Sequence, residues 1–254
     1  MKSTDRAWVR RKRSLAGAAW RWACALSGVL LAVVTVRSLV VQPFTIPSES
    51  MLPTLMVGDY VAVSKFPYGY SRFSFPFGLS IFSGRVLQAE PRRGDIVVFR
   101  APRDEAVVFV KRVVGLPGDR VQMREGRLYI DGSVVSRSGP IRVDLPPATL
   151  QGLLLYTETL PEGRSYRIVE VSDAEGLDDT PEHAVPEGHY FVLGDNRDYS
   201  ADSRIASAIG MVPAANVIGR ADWLFFSTDG TARLWQVWRW PWATRFERLF
   251  RRVP

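Results

Sequence analysis

Between Trp22 and Val36 the chain runs for fifteen residues without a charge, directly after a strongly basic stretch. A segment of that kind must lie in lipid, be buried in a core or be removed by processing. Fifteen residues fall short of the ~20 that a bilayer core requires. Leu39 to Val41 resume the apolar character after Arg37, so a tilted span over residues 22–41 fits, with Arg37 snorkelling to the far headgroups. Removal is disfavoured, because no good cut after the run has small residues at −3 and −1. Residues 1–21 hold seven Lys/Arg and one acid. The positive-inside rule therefore predicts a cytoplasmic N-terminus, with everything after the anchor on the outer face of the membrane.

The formal charge of +7 points to the same partner. Residues 1–21 contribute +6 and residues 233–254 contribute +5, which leaves −4 for everything between. A slightly acidic body with two basic ends argues for ends that lie on anionic lipid and against a phosphate-binding nucleic-acid surface. Cys24 is the only cysteine, so no intramolecular disulfide framework is available. Two histidines, His183 and His189, make no ligand cluster. Neither a metal nor a cofactor is expected.

After the anchor the pattern is β. Segments 59–64, 95–100, 107–114, 127–130, 165–171 and 190–193 are enriched in β-branched and aromatic residues and bounded by Gly-Asp, Pro-Gly-Asp and Asp-Gly turns. Residues 42–133 and 187–232 read as one β core. The more polar, acidic stretch 134–186 reads as a smaller inserted region. In the last segment, 233–254, Trp235, Trp238, Trp240 and Trp242 precede Arg245, Arg248, Arg251 and Arg252. Trp with Arg is the composition of a membrane interface. The competing reading has the tryptophans in the core and the arginines on a solvated final helix.

A hydrolase needs a nucleophile, a proton acceptor and donors for an oxyanion. Pro47 and Pro53 frame Ser48 and Ser50 just after the anchor, which fixes the backbone and presents both hydroxyls in an extended loop. Neither histidine has the setting of a base. Lys111 ends the apolar run Val107-Val-Phe-Val and is followed by Arg112-Val-Val. Strand alternation puts Phe109 and Lys111 on one face, Val110 and Arg112 on the other. Burial lowers a lysine pKa towards that of a useful base, whereas a guanidinium keeps its proton. Gly194-Asp-Asn-Arg-Asp-Tyr-Ser-Ala-Asp-Ser-Arg204 is dense in hydrogen-bonding groups and can hold such a lysine in place.

Pro47-Ser-Glu-Ser-Met-Leu-Pro-Thr-Leu55, Gly58-Asp-Tyr-Val61, Arg93-Gly-Asp-Ile-Val-Val-Phe99, Phe109-Val-Lys-Arg-Val-Val-Gly-Leu-Pro-Gly-Asp119 and Gly194 to Arg204 together resemble the five blocks of type I signal peptidases, in family order. The resemblance implies a fold of coiled antiparallel β-sheets with an inserted smaller β region behind an N-terminal transmembrane helix. It implies a membrane-bound serine endopeptidase of the bacterial inner membrane, its catalytic domain on the periplasmic face. Such an enzyme removes signal peptides from exported preproteins after small residues at −3 and −1, in proximity to the export translocon.

By the same resemblance Ser50 is the nucleophile, Lys111 the neutral general base, and Ser48 with the Ser50 N–H the oxyanion donors. Ser200 orients Lys111, Asp202 and Arg204 form a bracing pair, and Ile46, Pro47, Met51, Leu55, Phe109 and Val110 line shallow substrate pockets. Tyr199 stands where many members carry Asn, and a disulfide seen in some members has no counterpart here. A peptidase specialised for one pilus or conjugation protein is the alternative within this chemistry. A membrane-anchored β-domain acting only as an adaptor is the alternative outside it, and the intact Ser50/Lys111 pair argues against that.

Overall fold

The computed structural model describes residues 3–75, 84–87, 89–145 and 150–254, with side chains from Trp20 onward. Residues 1–2 of the basic segment, the side chains of Arg10 to Arg13 and residues 146–149 of the expected insertion lie outside that description. A long helix, α1 (Ser3–Leu39), precedes an antiparallel β body. Its portion Trp20–Leu39 is 20 residues long with a mean hydropathy of 1.8. Leu26, Leu30 and Leu31 on it are 67%, 65% and 68% exposed. By length and composition this helix can cross a bilayer. It ends two residues earlier than the expected span, because Val41 already opens the first strand.

Strands of four residues or more are β1 (Val41–Thr45), β2 (Asp59–Ser64), β3 (Ile96–Arg100), β4 (Val108–Gly115), β5 (Arg120–Arg124), β6 (Arg127–Ile130), β7 (Ser136–Leu145), β8 (Leu150–Thr159), β9 (Ser165–Glu170), β10 (His189–Leu193) and β11 (Val217–Ser227). Among the described residues the principal sheet runs β1-β2-β11-β3-β4-β10, every neighbouring pair antiparallel. Short strands Arg251–Arg252 and Val212–Pro213 add to β11 and β10. Strand alternation divides its side chains. Ile96 and Val98 of β3 pack with Val61, Val63, Ile218 and Leu224. Val97 and Phe99 pack with Val113, Tyr190, Val192 and Val217. Each such side chain contributes about 1.5–3 kcal/mol relative to exposure, so the sheet's two apolar faces supply what a disulfide would otherwise supply; Cys24 is free and exposed.

The strands expected at β2, β3, β4, β6, β9 and β10 occur within a residue of their expected limits. Strands β1, β5, β7, β8 and β11 lie outside those expectations, and for β7 and β11 the reason is physical. Nearly every residue of β7 is exposed or half-exposed, so it has no buried face to write an alternation into the sequence. β11 pairs with β2 through two register shifts, and each shift breaks the period of two. β7, β8 and β9 make a separate three-stranded sheet. It docks on the core: Leu150, Leu153 and Val169 pack with Leu52, and Tyr156 and Ile168 join Val114, Phe191 and Leu193.

Candidate active site

The loop between β1 and β2 is pinned at both ends, by Ile46 N–H to Asp59 O at 2.8 Å and Gly58 N–H to Ile46 O at 3.0 Å. Inside it Met51, Leu52 and Leu55 are buried, at 1%, 0% and 1% exposure. Their burial and the turn bond Leu52 N–H to Glu49 O hold Ser50 down on the sheet while Pro47 and Ser48 stay exposed. From across the fold Asn196 clamps the same turn. Its N–H donates to Ser50 O at 3.1 Å and its Nδ2 donates to Glu49 O at 3.2 Å.

Lys111 lies mid-strand in β4, opposite Val97 of β3. Its Nζ is 2.5 Å from Ser50 Oγ, and Ser48 Oγ lies 3.4 Å from Ser50 Oγ. Lys111 is 2% exposed, with the Phe109 ring centroid 5.8 Å from Nζ. Burial lowers its pKa to about 8, against the upward pull of Asp202 and Asp195. Here a lysine loses its proton far more readily than in water.

The loop after β10 closes the site. Asp202 accepts from Gly194 N–H at 3.1 Å and from Arg204 Nε and Nη2, both at 2.9 Å. Burial opposes its charge, but Arg204 and the Gly194 N–H hold its carboxyl below the usual range. Gly194 is a close-approach position: a Cβ there would come within 2.2 Å of Ser200 Oγ and 2.5 Å of Ser50 O, so only glycine fits. Ser200 is thus brought beside the nucleophile's backbone. Its buried hydroxyl also helps to hold the Asp202 carboxyl below the usual range.

Of the other residues singled out, Ile46, Met51, Leu55 and Val110 share one apolar cluster. Phe109 belongs to the opposite cluster and stacks on Phe99 at 6.1 Å. A cleft of about 620 Å³ opens over Ser48, Ser50, Tyr199 and Ser200.

Two elements of the site escaped the sequence. Arg112 is fully buried and bound by Asp195, at 2.8 and 2.7 Å. Thr54 also donates to Asp195, at 2.5 Å. The residues of this network stand 58 to 141 positions apart, and no local pattern announces such a contact. Asn196 is the second, and its place in the Gly194 to Arg204 block was the one available signal. The histidines are occupied elsewhere: His183 packs on Phe191 at 5.4 Å, and His189 Nδ1 lies 2.9 Å from Glu187 O.

The family model described as signal peptidase, peptidase S26, matches residues 19–226. Signal peptidase I of Rickettsia typhi (strain ATCC VR-144 / Wilmington) is 39% identical over 211 residues, covering 80% of this chain and 78% of that protein. The Rickettsia prowazekii (strain Madrid E) protein of the same name is 40% identical with the same coverage. A solved signal peptidase I from Enterococcus faecalis V583 shares 33% identity, covering 52% of this chain and 97% of that one, with a TM-score of 0.32. A match over that share of the sequence leaves one conclusion: the chain belongs to the signal peptidase family, peptidase S26.

Proposed function

We propose that this chain is a membrane-anchored endopeptidase that removes signal peptides from exported preproteins after small residues at −3 and −1, with Ser50 as nucleophile and neutral Lys111 as general base. The observation that carries the reading is the 2.5 Å contact between Lys111 Nζ and Ser50 Oγ in a site where burial lowers the lysine pKa to about 8. At pH 7 roughly a tenth of such a lysine is neutral. A bound peptide that displaces water raises that fraction.

Neutral Nζ takes the proton as Ser50 Oγ attacks the scissile carbonyl carbon. The resulting oxyanion is stabilised by the Ser50 N–H and the Ser48 hydroxyl. Protonated Lys111 then gives its proton to the departing amine, and water, deprotonated by the same lysine, releases the acyl group. Asn196 holds the Ser50 turn throughout, and Asp202 with Arg204 holds the loop that seats Gly194 and Ser200. Ile46, Met51, Leu55 and Val110, which share one apolar cluster, suit an apolar wall for small side chains, and Phe109 lies in the opposite cluster. The Trp20–Leu39 helix anchors the enzyme with its N-terminus in the cytoplasm and tethers the site near the outer surface, where signal-peptide cleavage regions emerge. Tethering replaces affinity for a weakly held substrate.

The test is cleavage of a peptide with Ala at −3 and −1 by the full chain in detergent. Wild type should cut once, after the −1 alanine, and Ser50→Ala should not cut. Full activity in Ser50→Ala, or activity abolished by His189→Ala, would overturn the assignment.

A further inference from the structure

The tail does not form the solvated helix that its arginines suggest. Arg248 turns inward to pair with Asp59 at 2.5 Å and donates to Thr54 O at 3.1 Å, and Arg245 donates to Val57 O at 3.0 Å. Folding the tail back in this way builds a cleft of about 590 Å³ between it and β9, with Tyr166, Arg167, Arg251 and Arg252 in its wall. Arg167, Arg251 and Arg252 are exposed, and among the described residues none of them forms an ion pair. Three such guanidinium groups, in a wall that also includes Pro254, suit an anion, and their planar forks match phosphate oxygens best.

Exposed aromatic residues neighbour these arginines in the tail and on β11. Phe250 sits between these arginines, 75% exposed, at φ +53°, a region that non-glycine residues seldom adopt. Trp223 is 44% exposed, with the Arg252 guanidinium 5.1 Å over its ring. Arginine beside exposed aromatics suits the layer where phosphates meet acyl chains.

We propose that this cleft binds the phosphodiester headgroup of an anionic phospholipid. Arg167, Arg251 and Arg252 hold the phosphate, and Phe250 and Trp223 reach the glycerol and the first acyl carbons. The site would orient the β body on the membrane surface at a point distant in sequence from helix α1. It stands apart from the dyad reading, because binding is measured without cleavage.

The experiment is native mass spectrometry of the full chain in a neutral detergent, titrated with dioctanoyl phosphatidylglycerol, dioctanoyl phosphatidylcholine or inorganic phosphate. Wild type should bind phosphatidylglycerol roughly tenfold or more tightly than phosphatidylcholine. Arg167→Gln/Arg251→Gln/Arg252→Gln should lose that preference with an unchanged melting curve. Phe250→Ser should weaken the lipid and leave phosphate unaffected. Arg167→Gln alone lies on a strand rather than in the tail, and it should lose severalfold even if the triple variant misfolds. Retention of the preference in a folded triple variant, or in Arg167→Gln where the triple variant misfolds, would overturn the site. Binding of phosphate without binding of the lipid would overturn the lipid assignment.

Discussion

Lys111 and Arg112 are consecutive cations in one strand, 2% and 0% exposed, and the fold treats them in opposite ways. Arg112 receives Asp195 on two nitrogens, donates to Gly94 O at 2.7 Å and stacks on Tyr166 at 4.2 Å. Burial works against its charge, but Asp195 more than offsets this, and its pKa is raised. Lys111 receives a hydroxyl and an aromatic ring; the carboxylates of Asp202 and Asp195 act on it without forming an ion pair, and its pKa falls to about 8. One face of the strand thus holds a fixed charge as structure. The other holds a group that can lose its proton at working pH. The difference lies in where the carboxylates point.

The largest effect comes from removing the labile side of this pair. Lys111→Ala and Ser50→Ala should each lower kcat on the order of 10⁴-fold or more, and the double variant should be little worse, since the two groups act as a unit. Lys111→Arg should be equally inactive, because it supplies charge without a base. Single-turnover cleavage of the alanine-containing peptide measures all four. Appreciable turnover by Lys111→Arg at neutral pH would show that the residue contributes only charge.

The same substitution on the two neighbours should then change stability in opposite directions. Arg112→Met strips the partner from buried Asp195 and should destabilise by about 3–5 kcal/mol. Lys111→Met removes a group whose charged form burial disfavours, so near neutral pH it should stabilise, by up to about 3 kcal/mol. The sign follows from the protons: between about pH 8 and ~10.4 the unfolded lysine is protonated while the folded one is not. Wild-type stability contributed by this group therefore rises with pH across that window, and Lys111→Met lacks the rise. Urea unfolding at pH 7 and pH 10, followed by tryptophan fluorescence, reads both. Equal losses in the two variants would end the contrast.

What was legible in the sequence divides along the same line. The labile half was local: Ser48 and Ser50 between prolines and Lys111 inside an apolar run could be read from a few residues, and the resemblance supplied their roles. The fixed half was not. Arg112 and Asp195 are 83 positions apart, and Arg197 and Glu158 are buried together at 39, so their pairing exists only once the sheets have closed. The tail shows the same limit. Its Trp/Arg composition suggested an interface, yet nothing in it told that Arg248 would reach Asp59 while Trp235, Trp238 and Trp242 stayed exposed.

Ser48→Ala tests the nucleophile's other neighbour. Ser48 Oγ, 3.4 Å from Ser50 Oγ, is one of two proposed oxyanion donors, and its loss should lower kcat by roughly 10² to 10³. KM should hardly change. A defect confined to KM would make Ser48 a positioning residue.

The smallest effect is a shift along the pH axis, and it tests the comparison most directly. On the proposed mechanism Lys111 must be neutral to act, so kcat/KM should rise with pH and level off above about 8, with no histidine involved. Asp202 pulls that pKa upward and Arg204 pulls it down. Asp202→Asn keeps an oxygen for the Gly194 N–H, but it removes the negative charge and leaves Arg204 uncompensated. Both changes favour neutral lysine, so the acidic limb should move to lower pH even where the plateau falls. The fold-change in plateau reports damage to the Gly194 and Ser200 loop, and the limb's position reports Lys111 alone. A limb that stays in place in Asp202→Asn, or moves to higher pH, would mean that the titrating group is not Lys111.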